Sequence, residues 1–300
     1  MRYFILFLGI MAIAIVSVIN FYPEETKEFI YDLVNNREYI IAKANDYYLE
    51  SNFNYIKNYT DDVSSKEELI DYIYYVINTG SDYADGACTK EYTNCITDLQ
   101  NIADDEDTLT IINNFVHPYN SFKTISFTYN NHGEFALSIE HVYTKEEITE
   151  INYIVDKELS TLTTENMNIA DKIKNIHDYI INNTKYDTLK TTNITDTTYK
   201  SNTAYGVLIQ GYGICSGYSD AMAIFLNKLG VENYKISNDD HIWNLVHING
   251  VWAHLEATWD DPISEFNEDR HTYFLISTEE LESLKDDTHS FDKTIYKEAY

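Results

Sequence analysis

The sequence predicts an α+β fold centred on a helix that begins at Cys215 and packs on a small antiparallel sheet. Three observations lead to this fold class. After Cys215, apolar residues recur at helical spacing and no proline interrupts them. The dipeptide Asn249-Gly250 is the strongest short signal for a β-hairpin. Upstream, residues 122–129 and 135–143 alternate around a glycine-containing turn, which predicts a second hairpin.

The first 22 residues differ in character from the rest of the chain. Residues 3–18 are almost unbroken apolar and follow Arg2. Such a segment predicts a signal peptide or, as we favour, an uncleaved anchor that enters the membrane through residues 3–20. We therefore expect a membrane-anchored protein with an extracellular bulk, or a secreted one.

Residues 23–160 are predicted to form a separate, mixed α/β but mostly helical module. Residues 22–99 are interpreted as helical, and Thr144 opens a capping-box signature before a further helix. Cys88 and Cys95 flank a short polar loop, and outside the cytosol such a pair predicts a disulfide, with two unpaired structural cysteines as the alternative. The sequence leaves open whether this module is a substrate platform, a spacer or an inhibitory pro-segment.

The charge of the chain excludes several classes of partner. The formal net charge is −28, which argues against nucleic acid and against anionic membrane surfaces. The 27 tyrosines exclude a disordered acidic chain. The abundance of lysine, asparagine, isoleucine and tyrosine indicates an AT-rich bacterial genome. The sequence contains no dinucleotide fingerprint, P-loop or zinc-spaced ligand motif, so we expect no cofactor and no metal.

Cys215 is a candidate nucleophile because of its place in the predicted helix. Gly213 and Gly217 allow a turn and a close backbone approach around it, and Gly230 ends the helix. In the first helical turn, free backbone N–H groups and the positive end of the helix dipole favour a thiolate. From the helix alone, a small buried core cysteine is an equally good explanation.

The hairpin supplies a candidate base and a candidate acid. A two-residue turn pairs Ile248 with Val251, and this register continued outward places Glu256 diagonally across from His241 on the same face. Diagonal neighbours lie roughly 7–8 Å apart at Cα, within reach of a long acidic side chain. A cysteine, a histidine and a carboxylate that orients the histidine form the arrangement that covalent catalysis needs.

Two other histidines compete for the role of base. His247 and His254 share the face of His241 in the predicted register, but neither has an acidic diagonal partner. The pattern therefore favours His241. We expect Trp243 and Trp252, on the same face, to line the cleft.

Three motifs in this region resemble the transglutaminase-like superfamily. They are GICSGY at residues 213–218, HIWN at 241–244 and EATWDDP at 256–262, in the order nucleophile, base and acid. The resemblance extends from Ile176 to Ser277, less than half of the chain.

The resemblance implies a papain-like topology for a domain at residues 161–300. It assigns the nucleophile to Cys215, the base to His241 and the orienting acid to Glu256. The family usually has aspartate at the last of these positions. His289 resembles the family's C-terminal histidine, and no role is assigned to it.

The resemblance further implies acyl transfer or hydrolysis at an amide through a thioester on Cys215. The substrate would be a protein glutamine, a peptide bond or a cell-wall peptide. The Cys215 backbone N–H would hold the oxyanion, with Gln210 or Tyr205 as a candidate second donor. Two alternatives stay open: a catalytically inactive binding module on the cell surface, motivated by Glu256, and a protease kept latent by residues 23–160.

Overall fold

The computed structural model describes residues 39–50, 59–60, 62–261 and 270–299. The predicted signal peptide or anchor at residues 1–22 lies outside the described residues. Within the described ranges, no helix has the length and apolar character needed to cross a membrane. Residues Ile41–Tyr300 form one compact unit.

In its described residues, the N-terminal half of this unit combines three α-helices with a four-stranded sheet. The helices are α1 (Lys66–Thr79), α2 (Cys95–Ala103) and α3 (Glu106–Asn114). The strands are β1 (Asp62–Val63), β2 (Tyr83–Cys88), β3 (Phe122–Tyr129) and β4 (Glu134–His141), in the order β1-β2-β4-β3. The predicted hairpin is thus confirmed as β3 and β4, which pair antiparallel.

The helical interpretation of residues 22–99 is wrong for strand β2. The β2 sequence, YADGAC, lacks the alternation that identifies a half-buried strand. It is held between β1 and β4, and Gly86 gives room for two aromatic rings. A Cβ at this glycine would lie 2.6 Å from the Phe135 ring and 2.9 Å from the Tyr72 ring. Tertiary packing, rather than local pattern, therefore makes this segment a strand.

A disulfide joins Cys88, the last residue of β2, to Cys95, the first residue of α2. The predicted pairing is therefore present in the structure. Cys215 is left as the free cysteine of the chain.

The C-terminal half surrounds a second four-stranded sheet. Its helices are α4 (Lys145–Leu162), α5 (Ile169–Asn183), α6 (Thr188–Thr192), α7 (Cys215–Lys228) and α8 (Thr278–Ser283). Its strands are β5 (Lys185–Tyr186), β6 (Tyr212–Gly213), β7 (Asn233–Ser237), β8 (Ile242–Ile248), β9 (Val251–Leu255) and β10 (Phe274–Ile276). Strands β7 to β10 form the antiparallel order β10-β9-β8-β7.

The β8–β9 hairpin has the predicted register. Ile248 pairs with Val251, and the turn residues Asn249 and Gly250 have φ angles of 53° and 82°, as a type I′ turn requires. Because the register is set at this turn, it also fixes which residues face each other at the far end of the hairpin.

This sheet is covered by apolar residues on both faces. One face, with Val246, Ala253 and Leu255, packs with helix α7 in one core cluster. The other face, with Trp243 and Leu245, belongs to a second cluster that also contains residues of the N-terminal half. Strands β7 to β9 therefore depend on both halves of the chain for their burial.

The predicted domain limits stay a prediction. The boundary between residues 160 and 161 falls inside helix α4, which runs from Lys145 to Leu162. On the N-terminal side of that boundary, the Asn114 side chain at the end of α3 donates to the Ser237 hydroxyl on β7 at 2.7 Å.

Candidate active site

Cys215 is the first residue of helix α7. The preceding Ile214 has extended backbone, and no side chain caps the helix. Backbone N–H groups of the first turn therefore remain available to a ligand at this end of the helix. The thiol is partly exposed. This position has the features that the sequence predicted for a nucleophile.

Close backbone packing holds the start of α7 in place. A Cβ at Gly217 would lie 2.2 Å from the carbonyl oxygen of Ser201, so only glycine fits there. The Ser219 hydroxyl donates to the carbonyl oxygen of Cys215 at 2.8 Å and also lies 2.9 Å from that of Ile242. Cys215 is thus tied directly to the strand that follows His241.

His241 lies immediately before strand β8, where the Asn238 side chain closes the loop. The His241 backbone N–H donates to Asn238 Oδ1 at 2.8 Å, and the Asn238 N–H donates to the His241 carbonyl at 3.0 Å. The imidazole stacks on Trp243 with ring centroids 5.6 Å apart, and the residue is only 8% exposed. Asn238 and this stacking were not predicted from the sequence.

Glu256 follows strand β9 and is buried. One carboxylate oxygen accepts a hydrogen bond from His241 Nε2, and the other accepts from the backbone N–H groups of Thr258 and Trp259. The Glu256 backbone N–H donates to the Tyr273 carbonyl at 3.1 Å. Both the side chain and the backbone of this acid are therefore fixed, and the glutamate reaches the histidine.

The three predicted residues lie next to one another. Burial by itself lowers the pKa of His241, but the neighbouring Cys215 and Glu256 raise it to about 10. Since Nε2 is bound to Glu256, Nδ1 is the ring nitrogen left for the thiol. Burial raises the pKa of Glu256, but the histidines beside it lower it to about 2. The arrangement favours an imidazolium next to an ionised carboxylate.

His289 is a second histidine at Glu256, and no role was assigned to it from the sequence. Its Nε2 lies 3.6 Å from the Glu256 carboxylate, and its Nδ1 lies 2.7 Å from Asp286. The ring meets the His241 ring edge to face at 4.9 Å and is buried. Its only sequence signal was the resemblance to the family's C-terminal histidine.

The competing histidines occupy other surroundings. His247 lies at the partly exposed turn end of β8, 2.9 Å from Glu232. His254 is buried and binds the Trp243 indole N–H at 3.0 Å. Burial lowers the pKa of His254 to about 3, so it stays neutral. Neither contacts Glu256 in the described part of the structure.

The expected tryptophans do not line the cleft. Trp243 is 1% exposed and lies beneath His241. Trp252 packs between Tyr234 and His247. The exposed indole near the site is Trp259, whose ring lies 6.2 Å from that of His241.

The side chains of the two candidate second oxyanion donors make other contacts. The Tyr205 hydroxyl donates to Glu150 at 3.0 Å, and the Gln210 amide oxygen accepts from the Lys200 backbone at 2.7 Å. Asp260 and Asp261 shape the turn after Glu256: Asp260 accepts from the Tyr273 N–H, and Asp261 accepts from the Tyr218 hydroxyl. The Cys215 backbone N–H stays the expected oxyanion donor.

Comparisons with known proteins agree with the resemblance in the motifs. Residues 157–257 match the family model described as the transglutaminase-like superfamily. No curated protein matches the chain.

Two solved structures are similar to part of the chain. A structure titled "Crystal structure of a TGase" is 17% identical, with a TM-score of 0.36, over 49% of this chain and 47% of that one. A putative cysteine protease from Cytophaga hutchinsonii is 15% identical, with a TM-score of 0.27, over 45% of this chain and 61% of that one. The chain therefore spans about half the length of the first of these structures and less than two thirds of the second.

Proposed function

Proceeding from the transglutaminase-like superfamily domain at residues 157–257, we propose that this protein is a cysteine enzyme that cleaves amides through a thioester on Cys215. The observation that carries this proposal is that His241 is hydrogen-bonded to Glu256 and lies beside Cys215. In this proposal, Glu256 orients the His241 ring, the ring exchanges a proton with the Cys215 sulfur, and the sulfur lies at the start of a helix.

The first half of the reaction forms the thioester. The thiolate sulfur of Cys215 attacks the amide carbon, and the carbonyl oxygen becomes an oxyanion next to the Cys215 backbone N–H. Protonated His241 then gives its proton to the nitrogen as the carbon–nitrogen bond breaks. An amine leaves, and an acyl-thioester remains on the enzyme.

The second half of the reaction releases the acyl group. Neutral His241 removes a proton from an incoming amine or water, which attacks the thioester carbon. The carbon–sulfur bond breaks, and the thiolate and the imidazolium are restored together. An amine yields a crosslink, and water yields deamidation or proteolysis. The substrate class we propose is a protein glutamine or a peptide bond, including that of a cell-wall peptide.

Glu256 is compatible with this chemistry although the family usually has aspartate. The longer side chain still accepts from His241 Nε2, and two backbone N–H groups hold its other oxygen. The ionised carboxylate stabilises the imidazolium in both halves of the reaction. This geometry supports an enzyme over the alternative of an inactive binding module.

We also propose that the protein acts outside the cytosol. The Cys88–Cys95 disulfide supports this location, because disulfides persist in oxidising compartments and are rare in the cytosol. The apolar N-terminal residues 3–18 are consistent with export. Digestion of intact cells with a protease tests the proposal: a surface protein is degraded, whereas a cytosolic one is protected.

The catalytic proposal is tested with a glutamine-donor peptide and a labelled amine. The wild-type chain should incorporate the amine or release ammonia, and Cys215→Ala should abolish both activities. Ser216→Ala is the matched control, because Ser216 lies in the same helical turn and its hydroxyl binds the Asn202 carbonyl. Undiminished turnover by Cys215→Ala would rule out the proposal.

Thiol reactivity distinguishes the enzyme from a binding module. An activated Cys215 reacts with iodoacetamide faster than free cysteine does at pH 6 to 7, because the thiolate is the nucleophile. A rate equal to that of free cysteine favours the binding module.

A further inference from the structure

A second group of ligating side chains lies apart from the cysteine. His177 and Asp178 are consecutive residues of helix α5, and His271 lies just before strand β10. One ligand atom from each of them falls within 4.8 Å of the others. We propose that His177, Asp178 and His271 form a binding site for a divalent transition-metal ion of the zinc class.

The strongest support is a buried ring nitrogen that lacks a hydrogen bond. His177 is fully buried, and its Nδ1 has no hydrogen-bond partner among the described residues. The nearest carboxylate oxygen, Asp178 Oδ1, is 3.7 Å away, too far for a hydrogen bond. A buried polar atom without a partner is rare and costs free energy, whereas a metal ion between these atoms would satisfy it.

The other side of the His177 ring is arranged as in metal-binding histidines. Its Nε2 lies 3.4 Å from the backbone carbonyl oxygen of Glu256 and 3.2 Å from the carboxylate of Asp260. Metal-ligating histidines commonly donate their second N–H to a carbonyl or a carboxylate, which leaves the opposite lone pair for the metal. In His177 that lone pair is on Nδ1, the atom that faces Asp178.

The remaining two ligands fit the same ion. His271 Nε2 lies 2.6 Å from Asp178 Oδ1, and the His271 and His177 rings are 5.6 Å apart. Zinc ligands bind at about 2.0–2.2 Å, so a modest separation of the Asp178 and His271 side chains makes room for the ion. The second carboxylate oxygen of Asp178 accepts from Lys174 at 2.7 Å, which holds the ligand in place.

Access and donor type point to the same class of metal. The side chains of Asp178 and His271 are about one-third exposed, so a hydrated ion can reach the site from solvent. Two imidazoles and one carboxylate suit zinc and its neighbours, whereas calcium and magnesium prefer oxygen ligands. Three protein ligands leave at least one coordination position for water.

A metal here would steady the backbone around Glu256. His177 contacts the Glu256 carbonyl, and the segment that follows His271 supplies the Tyr273 carbonyl to the Glu256 N–H. The ion would join helix α5 to this segment. The site does not require Cys215 to be a nucleophile.

The test is zinc titration of the full chain without a histidine tag, in competition with a chromophoric chelator. We expect one zinc ion per chain and at least tenfold weaker binding in His271→Ala and in Asp178→Asn. Zinc should also raise the melting temperature of the wild type and leave that of His271→Ala unchanged. Equal melting temperatures of the two proteins in chelator would show that the variant folds.

Two control variants exclude other sites. His247→Ala removes a surface histidine paired with Glu232, and zinc affinity should not change. Cys215→Ala removes the thiol beside His241 and should also bind zinc normally. The proposal would be overturned if the wild type did not bind zinc or if it preferred calcium to zinc. It would also be overturned if Cys215→Ala lost zinc binding while His271→Ala kept it.

Discussion

The most informative perturbation of the site is Glu256→Gln. The amide has the size of the carboxylate but carries no charge, and its NH2 group cannot accept a hydrogen bond as the second carboxylate oxygen does. The buried carboxylate binds His241 Nε2 and two backbone N–H groups. We expect the amide to keep the fold of the loop and to lose the stabilisation of the imidazolium.

The size of the effect follows from the pKa of His241. Burial lowers this pKa, yet the contacts with Cys215 and Glu256 raise it from 6.5 to about 10. At about 1.4 kcal/mol per pH unit, the rise corresponds to roughly 5 kcal/mol of preference for the protonated ring. If Glu256 contributes about half of it, its loss costs roughly 2.5 kcal/mol, or about 60-fold in the preference for the protonated ring. Turnover should fall by at least this factor and by as much as about 10⁴-fold.

The assay is the rate at which iodoacetamide alkylates Cys215 at pH 5 to 9. In the wild type, the His241 imidazolium beside the sulfur should support alkylation at pH 6. In Glu256→Gln, the rate at pH 6 should fall at least tenfold and should recover at alkaline pH, where any thiol ionises. Glu232→Gln is the matched control, because Glu232 pairs with His247 elsewhere on the sheet. Superimposable profiles of wild type and Glu256→Gln would refute the role of the acid.

The same variant tests how the unfolding free energy depends on pH in the acidic range. Burial raises the pKa of Glu256, but the hydrogen bond from His241 and the nearby His289 ring lower it from 4.5 to about 2. Because the folded pKa lies below the unfolded one, the stabilisation is present above pH 4.5 and is lost as the pH falls through about 2. The wild type should therefore lose roughly 3 kcal/mol of unfolding free energy on acidification that Glu256→Gln does not lose. If urea unfolding showed that the wild type and Glu256→Gln lose the same unfolding free energy on acidification, this prediction would be contradicted.

Three further predictions concern His289, Gly217 and the Cys88–Cys95 disulfide. His289→Gln should lower kcat about tenfold, or roughly 1.4 kcal/mol, with little change in KM, because the buried His289 ring lies against the Glu256 carboxylate and helps to hold it; kcat equal to that of His247→Gln would argue against a role for His289. Gly217→Ala should lower the unfolding free energy by about 1–3 kcal/mol, since its Cβ would meet the Ser201 carbonyl, and urea unfolding within about 0.5 kcal/mol of wild type would contradict the packing. Replacing Cys88 and Cys95 with alanine should cost about 2–3 kcal/mol and leave alkylation of Cys215 unchanged; mass spectrometry that finds three alkylated cysteines in the unreduced wild type would exclude the disulfide.

Several features of the site could be predicted because they depend on neighbouring residues. The helix that begins at Cys215 follows from apolar spacing and from Gly230, whose φ of 69° suits a helix end. The hairpin register follows from the turn at Asn249-Gly250, and that register brings Glu256 to His241. Turn chemistry and periodicity act over a few residues, so the sequence alone carries them.

Other features were decided only by the tertiary structure. Strand β2 lacks a strand pattern and exists because β1 and β4 pair with it on either side. His289 reaches Glu256 from a segment more than thirty residues away, and Phe115 of the N-terminal half packs against Tyr234 on β7. These contacts join segments that are distant in the chain, and no local spacing encodes them. The sequence thus determined the helix that begins at Cys215 and the register of the hairpin, whereas long-range packing decided what surrounds them.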